Sequence, residues 1–272
     1  MWTVKKWEWL KVKAFYLTDT GRVREHNEDS VTILKNISGE YLCVVADGMG
    51  GHRKGEVASA LTVAHLGKRF QESASIGTKI DAVNWLSDNI AEINKEILDY
   101  GEENENSKGL GTTVVAAIVT KEFLIFASIG DSSGYVMKNN KLHRVTKPHT
   151  LVNLLVDAGD LTPEEALNHP KKNVLMKALG AAEKCEPDIF DVDNESSEVF
   201  LCSDGLTGML SDEQIEKVLN EDDLSAQEKV IKLIKKCNAR GGNDNVSIAY
   251  LVRESGDIAW LWRGKKLVID TK

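Results

Sequence analysis

Runs of apolar and β-branched residues along the chain predict many short strands, interrupted by a small number of helices. Strands are predicted over residues 12–18, 30–37, 41–46, 114–119, 122–129, 188–192, 198–202 and 246–252. Asn139-Asn140 separates two further runs, 134–137 and 141–145, and is typical of a hairpin turn. The connections near the start of the chain are short, so neighbouring strands there are expected to pair with each other.

Apolar residues spaced three and four positions apart predict two long helices, over residues 55–71 and 80–100. Shorter helices are predicted over 151–158, 163–167 and 173–179, the second of them with Thr162 as its N-cap. Ser211 and Ser225 each open a capping box, which predicts helices that end at Leu219 and near Ala239. We interpret the interrupted stretch from about 147 to 182 as a flap.

The composition is that of an ordinary globular protein. The 272 residues include only four prolines and no Pro/Ser-rich linker, which favours one domain. The net charge of -8 argues against a nucleic-acid partner. Neither a sustained apolar run nor a signal peptide is visible, so a cytoplasmic protein without membrane insertion is expected. Four scattered cysteines are interpreted as reduced thiols: Cys43, Cys185, Cys202 and Cys237.

Acidic residues recur where the predicted strands meet loops. The apolar run 41–46 ends in Asp47, and a glycine-rich stretch with a histidine follows over 48–52. An Asp-Gly pair is common in turns, so this stretch taken alone favours a turn over a metal ligand. The same kind of junction holds four more acidic positions: Glu28-Asp29, Asp131, Asp204 and Asp244.

Five acidic positions at strand ends could converge on one edge of a pair of packed sheets. Concentrated carboxylates repel each other unless cations neutralise them. Oxygen ligands without a Cys or His cluster favour magnesium or manganese over zinc. Two such ions about 3.5–4 Å apart can hold and acidify a bridging water for attack on phosphorus. Each acid alone is explained by a cap or a turn, but the set together favours a metal centre.

Six segments of the chain, in order, resemble the metal-dependent serine/threonine protein phosphatases of type 2C in their compact bacterial form. They are TGRVREHNED at 20–29, VADGMGGH at 45–52, GTT at 111–113, IGDS at 129–132, LCSDGL at 201–206 and GNDNVS at 242–247. The resemblance extends from about residue 15 to 252. It implies two packed, mostly antiparallel β-sheets flanked by α-helices on both faces, an α-β-β-α sandwich of the α+β class.

The resemblance also implies a cofactor, Mn²⁺ or Mg²⁺, with two ions per chain and a weaker third ion as in bacterial members. Asp47 would bridge the first two ions, and the carbonyl of Gly48 would contact the second. Asp204 and Asp244 would ligate the first ion. Asp131, together with Asp204, would hold the third.

Three more positions receive roles from the same resemblance. Glu28 and Asp29 would support the second ion, mainly through water. Arg24 would bind the phosphate of the substrate, because a guanidinium can hold two phosphate oxygens at once. Catalysis would be direct hydrolysis by a metal-bridging hydroxide, without a phosphoenzyme.

The sequence departs from the family pattern at three positions. Met49 stands where eukaryotic relatives have a histidine proposed as the general acid, and His52 is the nearest substitute, although a plain helix-entry histidine explains it equally well. Ser133 replaces a usual arginine, and Pro148 replaces a usual aspartate near the base of the flap. These changes concern substrate handling and the third ion more than the first two ions.

The function that the resemblance implies is hydrolysis of phosphoserine and phosphothreonine in proteins, opposing a bacterial serine/threonine kinase. The alternative is a weakly active or inactive scaffold of the same fold that binds phosphoproteins or a kinase; only Ser133 and Pro148 support it. Residues 12–253 are predicted to form the catalytic domain, and a monomer is expected. Residues 1–11 form a Trp-rich extension, and 254–272 have the pattern of a hairpin.

Overall fold

The structure is a computed structural model that describes residues 11–50, 54–104 and 109–254. The Trp-rich extension up to residue 10, the predicted C-terminal hairpin from residue 255 onward, and His52 lie outside the described residues.

The described residues form short strands and a smaller number of helices, in the proportions that the hydrophobic pattern predicts. The strands are β1 (Lys11–Asp19), β2 (Asp29–Lys35), β3 (Tyr41–Met49), β4 (Gly111–Thr112), β5 (Val114–Val119), β6 (Leu124–Ile129), β7 (Ser133–Lys138), β8 (Lys141–Arg144), β9 (Asp188–Val192), β10 (Glu198–Cys202) and β11 (Val246–Glu254). The helices are α1 (Lys54–Glu72), α2 (Lys79–Glu103), α3 (Leu151–Ala158), α4 (Pro163–Leu167), α5 (Asp204–Thr207), α6 (Asp212–Leu219) and α7 (Ala226–Ala239).

The strands make two antiparallel sheets. One has the order β1-β11-β10-β7-β8, and the other has the order β2-β3-β5-β6-β9 with β4 added beside β3. The expectation that the first strands pair with their neighbours is wrong for β1, which pairs with β11 instead of β2. The loop after β1 crosses to the other sheet because its backbone binds the distant Gly242 carbonyl, which accepts from the amides of Arg22 at 2.8 Å and Val23 at 3.2 Å.

Three apolar layers hold the sheets and helices together. The layer between the sheets contains alternate residues of both, such as Cys43, Val45 and Leu251. Leu42 and Val44 point the other way and pack with α1 and α2. The outer face of the first sheet packs on α5, α6 and α7. β3 is covered on both faces, which explains its uninterrupted apolar run. The arrangement confirms the predicted α-β-β-α sandwich.

Local signals in the sequence account for the element boundaries. Thr162 is the N-cap of α4, and capping boxes begin α6 at Ser211 and α7 at Ser225, as predicted. Asn139 and Asn140 have φ values of 54° and 61°, which two-residue hairpin turns require, and they join β7 to β8. The four cysteines are buried and free.

The helix predicted over 173–179 is wrong. In the structure, Leu175 forms a β-bridge with Thr150, and Leu179 forms one with Thr112. The Leu179 amide donates to the Thr112 carbonyl at 2.9 Å, and the Thr112 amide donates back at 3.1 Å. Because these backbone groups are used in tertiary pairing, they are not available for helical hydrogen bonds.

Candidate metal centre

The predicted acidic residues come together at one end of the two sheets. Asp47, near the end of β3, stands directly opposite Asp29, the first residue of β2. Asp131 follows β6, Asp204 begins α5 just after β10, and Asp244 precedes β11. Antiparallel strands in two stacked sheets bring these distant parts of the chain to a common edge.

The carboxylate of Asp29 is buried and held by hydroxyl groups. Its Oδ2 accepts a 2.7 Å hydrogen bond from Ser203 Oγ. The Ser203 Oγ in turn accepts a hydrogen bond from the Ser247 amide at 2.9 Å, which orients the hydroxyl group. Burial is the main reason that the pKa of Asp29 rises to about 7; the hydroxyl groups oppose this, and the neighbouring charge of Asp204 adds to it.

The backbone of Asp47 is fixed by the threonines of the GTT segment. The Asp47 amide donates to Thr113 Oγ1 at 3.0 Å, and its carbonyl accepts from the Thr113 amide at 2.8 Å and from Thr112 Oγ1 at 2.9 Å. Thr113 Oγ1 also lies 2.7 Å from Ser132 Oγ, beside Asp131. The two threonines therefore position two of the predicted metal ligands.

Asp47 and Asp204 form a hydrogen-bonded pair of carboxyl groups. Burial, together with the charges of Asp29 and Asp204, holds the pKa of Asp47 well above its usual range. The pKa of Asp204 is raised as well, by burial and by Asp244, although the bond from Asp47 opposes that rise. Both carboxyl groups of this pair therefore resist ionisation when no cation neutralises the cluster.

Asp131 sits between the sheet and the base of the flap. Burial, with the charges of Asp204 and Asp244, raises the pKa of Asp131 to about 7. The preceding Gly130 donates its amide to His149 Nδ1 at 3.0 Å, and its carbonyl accepts from the His149 amide at 2.8 Å. His149, at the start of the flap, thus fixes the backbone next to Asp131.

Glycines allow two pairs of backbone segments to touch at the site. A Cβ on Gly48 would lie 2.1 Å from the carbonyl oxygen of Gly55 and 2.5 Å from that of Glu28. A Cβ on Gly205 would lie only 1.9 Å from the carbonyl oxygen of Asn245. Both contacts are closer than any side chain permits, so these positions require glycine.

Arg24 lies at the mouth of the cluster and pairs with Asp244. Its Nη2 is 2.8 Å from Asp244 Oδ2, and about half of the Arg24 side chain is exposed. The hydrogen bond to Asp244 is the main reason that the pKa of Arg24 is raised, and the charges of Asp47 and Asp204 contribute. The guanidinium therefore stands where an incoming anion would meet the carboxylate cluster.

Asn245 ties the polar loop of residues 20–29 to the metal centre. Its Nδ2 donates to the carbonyls of Thr20 and His26, both at 2.9 Å, and its Oδ1 accepts from the Glu28 amide at 2.9 Å. One buried amide thereby fixes the loop that carries Arg24.

Asn245→Ala is expected to lower the unfolding free energy by about 2 kcal/mol, because it removes a buried side-chain amide that bonds three partly buried backbone groups. Chemical denaturation would measure the change. Asn220→Ala is the matched control, since the side-chain Nδ2 of Asn220 donates to the exposed Asn140 carbonyl at 2.9 Å. A loss of about 0.5 kcal/mol or less in unfolding free energy is expected for this variant. Equal effects for the two variants would contradict the role of Asn245.

A cleft of about 720 Å³ opens beside the cluster. Asp131, Asp204 and Asp244 line one wall, and residues of α3, α4 and the segment around Lys172 line the other. The segment that the sequence predicts as a flap therefore lies across this cleft from the carboxylates.

The donor set fits hard divalent cations. Among the residues that the structure describes, no three His, Cys, Asp or Glu side chains already stand in a metal-holding arrangement. The carboxyl groups of Asp47 and Asp204 instead contact each other, and Asp244 pairs with Arg24. Buried oxygen ligands whose pKa is raised by burial and by neighbouring negative charge are the kind that Mg²⁺ or Mn²⁺ stabilises.

Comparisons with known proteins agree with this geometry. The family model described as "Protein phosphatase 2C" matches residues 20–246. The serine/threonine phosphatase stp of Listeria welshimeri is 41% identical over 88% of this chain and 95% of its own length. The chain belongs to the protein phosphatase 2C family.

Solved structures of other members show the same fold. The S. agalactiae serine/threonine phosphatase is 37% identical, with a TM-score of 0.85 over 90% of this chain and all of its own. The catalytic domain of the serine/threonine protein phosphatase PstP, solved in complex with two manganese ions, is 33% identical, with a TM-score of 0.78 over 90% of this chain and 99% of its own. The present chain is a serine/threonine phosphatase of a metal-dependent family, as the motifs indicate.

The phosphatase keeps several supporting residues to which the sequence pattern assigned no role. They are Thr113, Ser203 and Asn245. Ser203 and Asn245 each adjoin a predicted ligand in the sequence, and a small polar residue beside a strand-end acid is the signal that could have found them. Thr113 reaches Asp47 only through the fold. No helix in the described ranges is long and apolar enough to cross a membrane.

Proposed function

We propose that this phosphatase hydrolyses phosphoserine and phosphothreonine in proteins, uses two Mn²⁺ or Mg²⁺ ions, and opposes a bacterial serine/threonine kinase. The observation that carries the proposal is the buried cluster of Asp29, Asp47, Asp131 and Asp204 with raised pKa values, beside Arg24 and an open cleft. Residues 12–253 are the catalytic domain in this proposal, and the protein acts as a monomer.

The residues of the cluster divide the work of holding the cations. Asp47 would be the shared ligand, because its carboxyl group already contacts Asp204 and lies opposite Asp29. Asp204 and Asp244 would hold one ion, while Gly48, Glu28 and Asp29 would serve the other. Asp131 with Asp204 would hold a third. When bound, the ions supply positive charge and lower the pKa of a water molecule that attacks phosphorus.

Arg24 orients the phosphate for in-line attack. Its half-exposed guanidinium can exchange the Asp244 carboxylate for two phosphate oxygens. An Asp244 carboxylate that held a cation would leave Arg24 available to the substrate phosphate. Fixing the ester in this way makes the attack effectively intramolecular.

The reaction forms one bond and breaks another. The attacking water gives up a proton to solvent as its oxygen bonds to phosphorus, the bond from phosphorus to the serine or threonine oxygen breaks, and inorganic phosphate leaves. The departing alkoxide must take up a proton. His52 is the general acid in this proposal, and its position lies outside the described residues.

Hydrolysis of a phosphothreonine peptide in Mn²⁺ tests the proposal. We expect turnover that EDTA abolishes, and a loss in kcat/KM on the order of 100-fold for Arg24→Ala, because one charged transition-state contact is removed. Arg69→Ala is the control, since the Arg69 guanidinium pairs only with the exposed Glu92 on the helical face; its activity should match the wild type. A protein that binds the phosphopeptide but never hydrolyses it would favour the scaffold alternative.

A further inference from the structure

Asp188, the first residue of β9, lies beside the segment that carries Asp131. In the antiparallel pairing of β9 with β6, Asp188 stands opposite Ser128, and the chain leaves β6 through Gly130 into Asp131. The Asp188 side chain is about half exposed. The register of the sheet therefore places a carboxylate next to this segment, although Asp188 is not one of the acidic residues of the predicted metal centre.

The imidazole of His149 connects Asp188 to Gly130. Its Nδ1 accepts from the Gly130 amide at 3.0 Å, so the proton of the neutral ring lies on Nε2. Nε2 is buried and lies 3.1 Å from Asp188 Oδ2, without the alignment of a full hydrogen bond. Since one ring nitrogen faces Gly130 and the other faces Asp188, the carboxylate holds the ring in the orientation that the Gly130 amide requires.

Residues that end the predicted flap hold Asp188 and His149 in place. Lys177 Nζ lies 3.2 Å from Asp188 Oδ1, and the neighbouring Met176 amide donates to the His149 carbonyl at 2.8 Å. Partial burial raises the pKa of Asp188, but the contacts with His149 and Lys177 outweigh it and keep that pKa below its usual range. Asp188 is therefore ionised at neutral pH and presents a charged acceptor to Nε2.

The backbone conformation of Gly130 depends on His149. The φ of Gly130 is 97°, in the left-handed region, and a Cβ there would lie 2.5 Å from Thr113 Cγ2. A glycine can adopt several backbone conformations at similar free energy, so its contacts decide which one it takes. Both backbone groups of Gly130 bond to His149, the amide to Nδ1 and the carbonyl to the His149 amide at 2.8 Å. The direction in which Asp131 leaves the strand therefore follows the position of His149.

We propose that Asp188 is a positioning residue for the third cation. Through His149 and Gly130 it orients Asp131, and it thereby sets the affinity of the site that Asp131 would share with Asp204. The inference rests on the third cation of the proposed function, and it adds a residue on another strand that contacts none of the cations itself.

The first two cations depend on other contacts. Asp47 is held by the two threonines of the GTT segment, and Asp244 pairs with Arg24. Neither contact involves His149 or Asp188. A change at Asp188 should therefore leave the first two ions in place and weaken only the third.

Titration of the full chain with Mn²⁺ tests the proposal, with electron paramagnetic resonance of the free ion to count the bound ions and measure each affinity. We expect three ions for the wild type, the third the weakest. Asp188→Ala should weaken the third ion about 10-fold, since loss of a residue that supports a metal ligand costs about 10–100-fold and Asp188 is half exposed. The first two affinities should stay within about twofold of wild type, and the melting temperature in EDTA within about 2 °C, because an exposed ion pair contributes little to stability.

Asp191→Ala is the matched control. Asp191 lies on the same strand, is exposed to a similar degree and pairs with Lys79 at 2.8 Å. All its Mn²⁺ affinities should equal those of wild type. Asp188→Asn keeps an oxygen that can accept from Nε2 of His149, so it should retain most of the third affinity.

His149→Asn separates positioning from a general effect of charge. The asparagine Oδ1 can take the place of Nδ1 and accept from the Gly130 amide, but nothing replaces Nε2. If Asp188 acts through the imidazole, Asp188→Ala should have no further effect on the third affinity in this background. A 10-fold loss that persists there would show that Asp188 acts by its charge alone, which overturns the positioning role.

The same titration distinguishes a failure of this inference from a failure of the proposed function. A wild type that binds only two ions overturns the role of Asp188 and leaves hydrolysis with two ions standing. The same holds for an Asp188→Ala protein whose third affinity equals that of Asp191→Ala. A wild type that binds no Mn²⁺ overturns the proposed function, and this inference with it.

Discussion

Asp47→Asn is expected to lower kcat/KM for a phosphothreonine peptide on the order of 1000-fold in saturating Mn²⁺, while the protein stays folded. The substitution removes the negative charge that two cations would share, and it keeps the shape of the side chain. Steady-state kinetics would measure the loss. The rise in melting temperature that Mn²⁺ gives the wild type should also disappear.

The stability of the same variant separates a metal ligand from a structural carboxylate. Burial and the charges of Asp29 and Asp204 raise the folded-state pKa of Asp47 above its unfolded value. The stability that this carboxyl group contributes is present below its unfolded pKa and is lost as pH rises, because the folded state must then either hold a proton that the unfolded chain has released or bury a charge. Asp47 therefore opposes folding at neutral pH in EDTA. Asparagine carries no charge and can still donate to Asp204. Its unfolding free energy in EDTA should therefore equal or exceed that of wild type.

Asp191→Asn is the matched control for this experiment. Asp191 is about half exposed on β9, and its carboxylate pairs with Lys79 Nζ at 2.8 Å. It is not one of the acidic residues of the predicted metal centre. Its activity and its response to Mn²⁺ should not change. Retention of more than a tenth of the activity by Asp47→Asn, or an unchanged response to Mn²⁺, would remove Asp47 from the metal centre.

The parts of the site that were predictable are those encoded locally. An apolar run that ends in Asp-Gly specifies a strand end and a carboxylate within six or seven residues, and Asp47 and Asp204 both lie where this signal puts them. The capping box at Ser225 is equally local. Each of these features depends on neighbouring residues alone, so the pattern along the chain is sufficient to find them.

The parts that were missed depend on contacts between distant segments. β1 pairs with β11, more than 200 residues away, and nothing near residue 12 encodes that partner. The segment 173–179 has helical spacing but is drawn into bridges with Thr112 and Thr150.

Gly205→Ala is expected to be the most destabilising single-methyl change at the site. The new Cβ would lie 1.9 Å from the carbonyl oxygen of Asn245 and 3.4 Å from Asp244 Cβ. The obstacle is backbone, so no side-chain rotation relieves it, and either α5 or the loop before β11 must move. We expect the unfolding free energy to fall by about 3 kcal/mol or more, and the melting temperature by about 6–10 °C.

Gly159→Ala separates this clash from the general cost of replacing a glycine. Gly159 has a φ of 81° at the C-cap of α3, and a Cβ there would meet nothing within 4 Å. Only the left-handed backbone then opposes alanine, which costs about 1 kcal/mol. Gly205 does not have a positive φ. If Gly205→Ala loses more unfolding free energy than Gly159→Ala, the excess therefore comes from the contact with Asn245. That contact joins the segments carrying Asp204 and Asp244, so the folded Gly205→Ala protein should also bind Mn²⁺ more weakly. A Gly205→Ala protein with wild-type stability and Mn²⁺ affinity would show that this contact does not hold the two segments together.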